Sequence, residues 1–188
     1  LHVDNFSNFD FLESLNEFLE VLEVTRSIDD SNSLEFFQLL SSLPNLRFLD
    51  VTGNKREYLN GKMLSSLTSL RYLKCHRIKQ IDLKHDFLSG LELLDLNSSF
   101  LQGSLDFAFS KLANLKLLDL NNSKGIQLNP LSQTNLFAGL SQLNELRLAY
   151  VNPRSGSRRI SADLFRGLTQ LNVLTLYGNY LTEIDAET

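Results

Sequence analysis

Residues 168–184 read LTQLNVLTLYGNYLTEI, and this stretch decides the fold. Leucine or isoleucine fills its first, fourth, seventh, ninth, fourteenth and seventeenth positions, and Asn179 fills the twelfth. The central part alternates apolar and polar residues, which is the period of a β-strand with one buried face. Because one short strand cannot bury that face alone, the stretch predicts a unit that stacks on copies of itself.

The same spacing recurs along the whole chain. The first leucine of an LxxLxLxxN pattern falls at positions 19, 46, 70, 91, 115, 143 and 171, in steps of 27, 24, 21, 24, 28 and 28 residues. The apolar positions three and five residues later are aliphatic in every repeat, except that Cys75 replaces one of them. We therefore expect Cys75 to be a buried apolar residue rather than a reactive thiol.

The repeats predict one domain over residues 1–188, with residues 1–18 as the remnant of a preceding repeat. The fold class is an α/β leucine-rich-repeat solenoid, or horseshoe, of about seven repeats. A parallel sheet lines its concave face, and short helices or irregular turns form the convex side. The predicted strands are residues 21–25, 48–52, 72–76, 93–97, 117–121, 145–149 and 173–177.

The ninth position of the pattern lies at the bend after each strand. Asn or Ser there can satisfy backbone groups that no strand ladder serves, and five of the seven repeats have one of the two. The third and sixth repeats have Ile78 and Val151 instead, so we expect their bends to be irregular.

The sequence contains no arrangement typical of catalysis, so we expect no enzyme, metal or cofactor. No two of the three histidines have metal-ligand spacing, and no GxSxG motif or phosphate-binding loop is present. The net charge of -4 argues against binding duplex nucleic acid through overall charge. No apolar run approaches the 18 residues of a membrane span, so we expect membrane attachment only through segments outside this chain.

Two surface features are candidates for ligand binding. On the concave face, Arg71, Lys74 and His76 make the third repeat basic, while the next two repeats are acidic. This pattern indicates either a solvated face whose neighbouring charges pair, or a docking surface. The fifth and sixth repeats are long, which predicts adjacent loops, and the second loop carries Arg154, Arg158 and Arg159. These arginines suit a phosphate or carboxylate ligand, although a solvated loop is the simpler interpretation.

Three Asn-x-Ser sequons, at Asn5, Asn97 and Asn121, are candidate glycosylation sites. Their number is what chance predicts from the composition, but Asn97 and Asn121 are neighbours in one concave column. Glycans there would cover the middle of the concave face and direct ligands to a flank.

The strings LFAGLSQLNELRL (136–148) and LFRGLTQLNVLTLYGNYL (164–181) resemble extracellular leucine-rich repeats. The irregular repeat length and the mixed residues at the bend most resemble a fragment of a Toll-like receptor ectodomain. This resemblance implies an extracellular or lumenal glycoprotein at the cell surface or in the endosome. It also implies a protein or microbial ligand and a receptor homodimer.

Two other kinds of protein remain open. One is a structural or adhesive extracellular repeat protein. The other is a plant-type repeat receptor, whose turn is similar to FLQGSLDFAFSKLANLKLLDL (100–120), although Asp106 stands where that type has Pro. An excised solenoid exposes apolar end repeats, so we also expect this chain to be poorly soluble until cysteine-rich caps are added.

Overall fold

Within the residues that it describes, a computed structural model of the chain contains twelve short strands and one α-helix. The structure describes residues 1–5, 8–29, 31–54, 58–83, 86–102, 105–126, 128, 135–151 and 159–185. The strands are β1 His2–Asp4, β2 Val21–Thr25, β3 Phe48–Asp50, β4 Tyr58–Asn60, β5 Tyr72–Lys74, β6 Gln80–Asp82, β7 Leu93–Asp95, β8 Leu117–Asp119, β9 Glu145–Arg147, β10 Arg159–Ser161, β11 Val173–Thr175 and β12 Glu183–Asp185. Helix α1 is Ser33–Leu39, and 3₁₀ turns span Asp10–Leu15, Leu40–Ser42, Gly61–Leu64, Asp86–Leu88 and Ala162–Phe165.

Eight strands form one parallel sheet in the order β1-β2-β3-β5-β7-β8-β9-β11. The register aligns the second apolar position of every repeat, so that Leu22 pairs with Leu49 and Leu49 with Leu73. The predicted solenoid with its concave sheet is thereby confirmed. All seven predicted strands begin where expected, but only β2 extends over five residues, because the others end after three.

β1 is a strand that the repeat pattern missed. It pairs with β2 so that Val3 lies opposite Val24, and Val3 is buried. The first leucine of the pattern would precede residue 1, and for this reason the spacing gave no signal there. The segment before the first complete pattern thus contributes its own strand to the sheet.

Two further strand pairs follow the bends, where the sequence predicted short helices or irregular turns. β4 pairs with β6, and β10 pairs with β12, each in parallel. These segments lie at equivalent places in successive turns, so stacking brings their backbones side by side as it does for the main sheet.

The core lies between the sheet and the return segments. Phe9 and Phe36 contact each other edge to face, with ring centroids 4.9 Å apart. Phe109 and Phe137, which precede the LxxL return motif, are buried, and Phe137 stacks on Phe165 at 6.3 Å. Aromatic side chains therefore fill space on the return side in several turns, whereas Leu64 is the buried residue there in the third repeat.

The bends are joined by hydrogen bonds from one turn to the next. Asn54 accepts from the backbone N–H of Ser27 and of Ile28, at 2.9 and 2.8 Å, and donates to the carbonyl of Val24. Asn179 similarly accepts from the N–H of Val151 and donates to the carbonyl of Leu148. The ninth residue of each such repeat thus serves the bend of the preceding turn.

This connection explains why the expected irregularity of the third and sixth bends is wrong. The N–H of Ile78 donates to the Ser99 hydroxyl of the next repeat, and Val151 is served by Asn179 in the same way. The residue before the ninth position has a positive φ in all seven repeats, and the values at Arg77 and Tyr150, 62° and 57°, lie within the common range of 48° to 75°. Asn54 and Asn179 also donate to carbonyls of their own repeats, Val51 and Leu176. An apolar ninth residue therefore lacks side-chain hydrogen bonds to the preceding turn and to its own, but the backbone of the bend keeps the same conformation.

Candidate ligand-binding surface

The central outward column of the concave sheet holds six charged side chains and one histidine in successive strands. They are His2, Glu23, Asp50, Lys74, Asp95, Asp119 and Arg147. His2 lies 3.3 Å from Glu23. Arg147 contacts Asp119 at 3.1 Å and Glu145 at 2.6 Å. Most of this column is therefore an internally paired face.

The three aspartates of the column are also bound to the backbone. Each accepts a hydrogen bond from the N–H two residues later, at 2.9 Å for Asp50, 3.0 Å for Asp95 and 2.9 Å for Asp119. The carboxylates close the turn that leaves each strand, as Asp side chains do in Asx turns. Their first role is consequently to shape the turns.

His76 joins this paired network. Its Nε2 lies 3.1 Å from Oδ2 of Asp95. Burial raises the pKa of Asp95, but the polar contact with His76, the hydrogen bond from the N–H of Asn97 and the charges of His76 and Lys74 outweigh it and leave the pKa below its ordinary value. His76 is therefore engaged by the adjacent repeat, unlike Arg71 and Lys74.

Lys74 and Arg71 have no ion pair with any residue that the structure describes. Nζ of Lys74 lies 5.5 Å from the centroid of the Phe48 ring, close enough for a cation–π contact. Arg71 donates to the carbonyls of Thr68 and Leu70, at 3.3 and 3.0 Å. Both side chains keep donors for an external acceptor, because neither is neutralised by a carboxylate.

Two aromatic residues and one more arginine complete this region. Phe48 and Tyr72 pair in register, with ring centroids 6.3 Å apart, and Tyr72 is 37% exposed. Arg47 precedes Phe48 and is exposed. We call Arg47, Phe48, Arg71, Tyr72 and Lys74 the basic–aromatic surface.

A groove of about 410 Å³ adjoins the basic–aromatic surface at the start of the strands. Arg47 and Arg71 form part of its lining, as do Glu17, Phe18 and Glu20. Phe18 is 80% exposed, so the groove offers apolar area as well as charge. An exposed aromatic side chain beside arginines is typical of protein-binding surfaces.

The electrostatic effect of the arginines reaches the next repeat. The pKa of Glu92 lies below its ordinary value because Lys116 donates a hydrogen bond to it, and the charges of Lys116, Arg71 and Arg47 act in the same direction. The ammonium of Lys116 lies 2.8 Å from Glu92. Since Glu92 is satisfied by Lys116, it does not neutralise the arginines.

The predicted arginine loop lies mostly outside the described residues, which omit 152–158 and hence Arg154 and Arg158. Arg159 begins β10 and contacts Glu183 at 2.7 Å. The structure therefore does not bring Arg159 to the concave side with Arg71, Lys74 and His76.

The three sequons differ in their surroundings. Asn5 is exposed and donates to Asp4. Asn97 accepts from the hydroxyl of Ser98, and Asn121 accepts from the N–H of Ala149 at 2.8 Å. The oxygen of the Asn121 amide thus links two repeats, whereas a glycan would attach to the nitrogen of the same amide.

The remaining candidates for chemistry are sparse. Cys75 is buried as expected, and burial, together with the charges of Asp95 and Asp50, raises the pKa of its thiol. Within the described residues, His, Cys, Asp and Glu side chains form no group of three that could hold a metal ion. The helices in the same residues are all too short or too polar to cross a membrane.

Sequence reasoning identified Arg71, Lys74 and His76 but missed Phe48 and Tyr72. The missed residues occupy the outward column that begins each strand, which reads Val21, Phe48, Tyr72, Leu93, Leu117, Glu145 and Val173. Reading this column beside the charged ones would have shown two aromatic residues next to the arginines.

Comparison with known proteins supports the fold. No family model matches the sequence, and no curated protein matches it significantly. An internalin (InlF) from Listeria monocytogenes is 21% identical over 100% of this chain and 66% of its own, with a TM-score of 0.44. TLR13, whose structure was solved in complex with ssRNA13, is 21% identical over 88% of this chain and 26% of its own, with a TM-score of 0.58. At this identity the likeness to TLR13 concerns the solenoid alone.

Proposed function

We propose that the chain is a ligand-recognition segment of an extracellular receptor of innate immunity. The observation that carries the proposal is the basic–aromatic surface, where Arg71 and Lys74 lack ion-pair partners within the described residues. Most other charges of the central column are paired or bound to the backbone. A surface whose charges are not satisfied internally is available to a ligand.

The LFxGLxxLxxLxL strings and the fold that the chain shares with TLR13 support the Toll-like assignment. On this proposal the ligand is a protein or a microbial molecule, ligand binding promotes a receptor homodimer, and attachment to the membrane uses segments outside this chain. The domain would be extracellular or lumenal, at the cell surface or in the endosome. Glycans at Asn5, Asn97 and Asn121 belong to the same proposal.

The arginine loop is the second part of the proposed site. Arg154, Arg158 and Arg159 would bind an anionic group of the ligand from the flank. The engagement of Asp95 and Asp119 with the backbone, His76 and Arg147 supports a site that does not depend on these acids.

A structural or adhesive extracellular protein is the alternative function, and a plant-type receptor is a further one. Binding of the immobilised chain to heat-killed bacteria and yeast, compared with its binding to collagen and fibronectin, separates the first two. We expect binding to a microbial preparation and its loss in the Arg71→Ser/Lys74→Ser variant.

Binding only to the matrix proteins would favour the adhesive function. Binding to neither class would contradict the proposed recognition role. The matched control is Lys111→Ser/Arg166→Ser, which removes two exposed cations from return segments, where they pair with Asp86 and Asp163.

A further inference from the structure

We propose that the basic–aromatic surface binds an extended segment of a partner protein through a single Asp or Glu side chain flanked by apolar residues. This inference rests on the proposed recognition function and specifies the ligand chemistry of its site. It follows from the spacing of the cations, the exposed aromatic area and the acidic residues that surround the surface.

The spacing of the cations suits one carboxylate. Arg47 and Arg71 precede paired strands, and the N–H of Arg71 donates to the carbonyl of Arg47 at 2.8 Å. Their backbones are thus about 5 Å apart, as in any pair of neighbouring strands. Two guanidinium groups that start from this spacing can converge on the two oxygens of one carboxylate.

The aromatic residues supply the apolar part of the contact. Phe48 and Tyr72 follow directly after the two arginines in their strands, and Phe18 lies in the groove on the other side. An apolar side chain on either side of the ligand carboxylate would therefore meet an aromatic ring. Aromatic anchors next to arginine contribute most of the binding energy in many protein interfaces.

The surrounding acids argue against a polyanion. Glu17 and Glu20 line the groove with Arg47, and Asp50 and Asp95 lie on either side of Lys74 in register. A ligand with a continuous row of negative charges would meet these carboxylates within one or two strand spacings of the cations. Repulsion there would offset the gain at the arginines, so an isolated carboxylate is favoured over a nucleic acid or a polyacidic chain.

The groove also allows the ligand chain to continue in both directions. Its lining residues Glu17, Phe18, Glu20 and Arg47 are all exposed, so they do not enclose a chain terminus. For this reason we assign the carboxylate to an internal Asp or Glu rather than to a C-terminus.

The test uses random peptides of roughly twelve residues, about 40 Å when extended, displayed on phage and selected on the 188-residue chain. We expect the selected peptides to share one Asp or Glu next to an aromatic or aliphatic residue. Their synthetic versions should bind the Arg47→Ser/Arg71→Ser variant about tenfold more weakly. Replacing the shared acid by Asn or Gln in the peptide should cause a similar loss. The Lys111→Ser/Arg166→Ser control should bind as the parent does.

Three results would overturn the inference. The selected peptides could lack a common acid, they could bind the arginine variant and the parent equally, or a poly-Asp peptide or single-stranded RNA of equal length could bind as tightly as they do. Circular dichroism of each variant separates a lost contact from a lost fold. The single Arg47→Ser variant serves if the double variant unfolds, because the Arg47 side chain makes no hydrogen bond or ion pair with the described residues. Peptides that bind outside the basic–aromatic surface would contradict this inference but not the proposed recognition function. Failure of the microbial binding assay would contradict that function itself.

Discussion

Lys74 and Arg147 occupy the same outward column of the concave sheet, three strands apart, but their surroundings differ. Arg147 lies between Asp119 and Glu145 and contacts both. Lys74 has an aspartate on each side in register, yet its ammonium lies over the ring of Phe48. Proximity of opposite charges in a column therefore does not decide which of them pair.

The reason lies in the geometry of the acids. One carboxylate oxygen of Asp119 accepts a hydrogen bond from the N–H of Asn121, and the other accepts one from Arg147. One carboxylate oxygen of Asp95 accepts a hydrogen bond from the N–H of Asn97, and the other lies next to His76. On the Asp95 side, His76 thus takes the acceptor that Lys74 would otherwise use. On the other side, Asp50 accepts from the N–H of Thr52 and makes no ion pair with a described residue. The third repeat therefore keeps a cation available to ligands while the sixth does not.

The largest expected effect on stability comes from removing Asp119, which pairs with Arg147. Asp119 is buried, and its replacement by Ala would leave the N–H of Asn121 and part of the Arg147 guanidinium without an acceptor. We expect Asp119→Ala to lower the free energy of unfolding by about 2–3 kcal/mol. Urea denaturation followed by circular dichroism measures the change.

The matched variant is Lys74→Ala, because Lys74 makes no ion pair with the described residues. It removes an outward side chain from the same column and, among contacts with the described residues, loses only the one with Phe48. Its effect should be about 0.5 kcal/mol. Equal destabilisation by the two variants would show that the pairing of Asp119 contributes nothing to stability.

A middle-sized effect is expected on ligand affinity. Replacing Arg154, Arg158 and Arg159 together by Ser should weaken binding about tenfold, because each arginine can form paired hydrogen bonds with an anion. Replacing Asp95 and Asp119 by Asn should change affinity less, since these acids are engaged within the sheet. Binding is measured with the microbial preparation that the parent recognises, at a temperature where each variant is folded. Loss in the aspartate variant with parental affinity in the arginine variant would move the proposed site to the acidic part of the sheet.

The fold could be predicted from the sequence because the same pattern of apolar residues recurs in every repeat. Leu22, Leu49 and Leu73 occupy one slot, and their register in the sheet follows from that slot. β1 was missed because the first leucine of its pattern would precede residue 1. The bends were misjudged because the N–H groups of Ile78 and Val151 bond to side chains of the next repeat.

The candidate site could be predicted only in part. Columns of outward residues follow from the spacing, and this gave Arg71, Lys74 and His76. The spacing does not specify side-chain rotamers, so it could not show that His76 contacts Asp95 or that Lys74 lies over Phe48. Each single contact depends on the rotamers of two side chains, whereas the prediction of the fold is supported by the pattern of every repeat.

The smallest expected effect concerns how the contribution of Asp95 to stability depends on pH. Asp95 lies between Lys74 and Asp119 in the column. Its pKa in the folded chain is lower than in the unfolded chain, so the carboxylate contributes stability that is fully present above the unfolded value, near 3.9. That contribution is lost as the pH falls through the folded value. We expect Asp95→Asn to be about 1 kcal/mol less stable than the parent at pH 7, and the difference to shrink as the pH falls below about 4 and through the folded value. Urea unfolding of both proteins from neutral to acidic pH measures the difference. A difference that does not shrink on acidification would mean that the contacts with His76 and Asn97 do not depend on the charge of Asp95, and the explanation for why Lys74 makes no ion pair with the described residues would then fail.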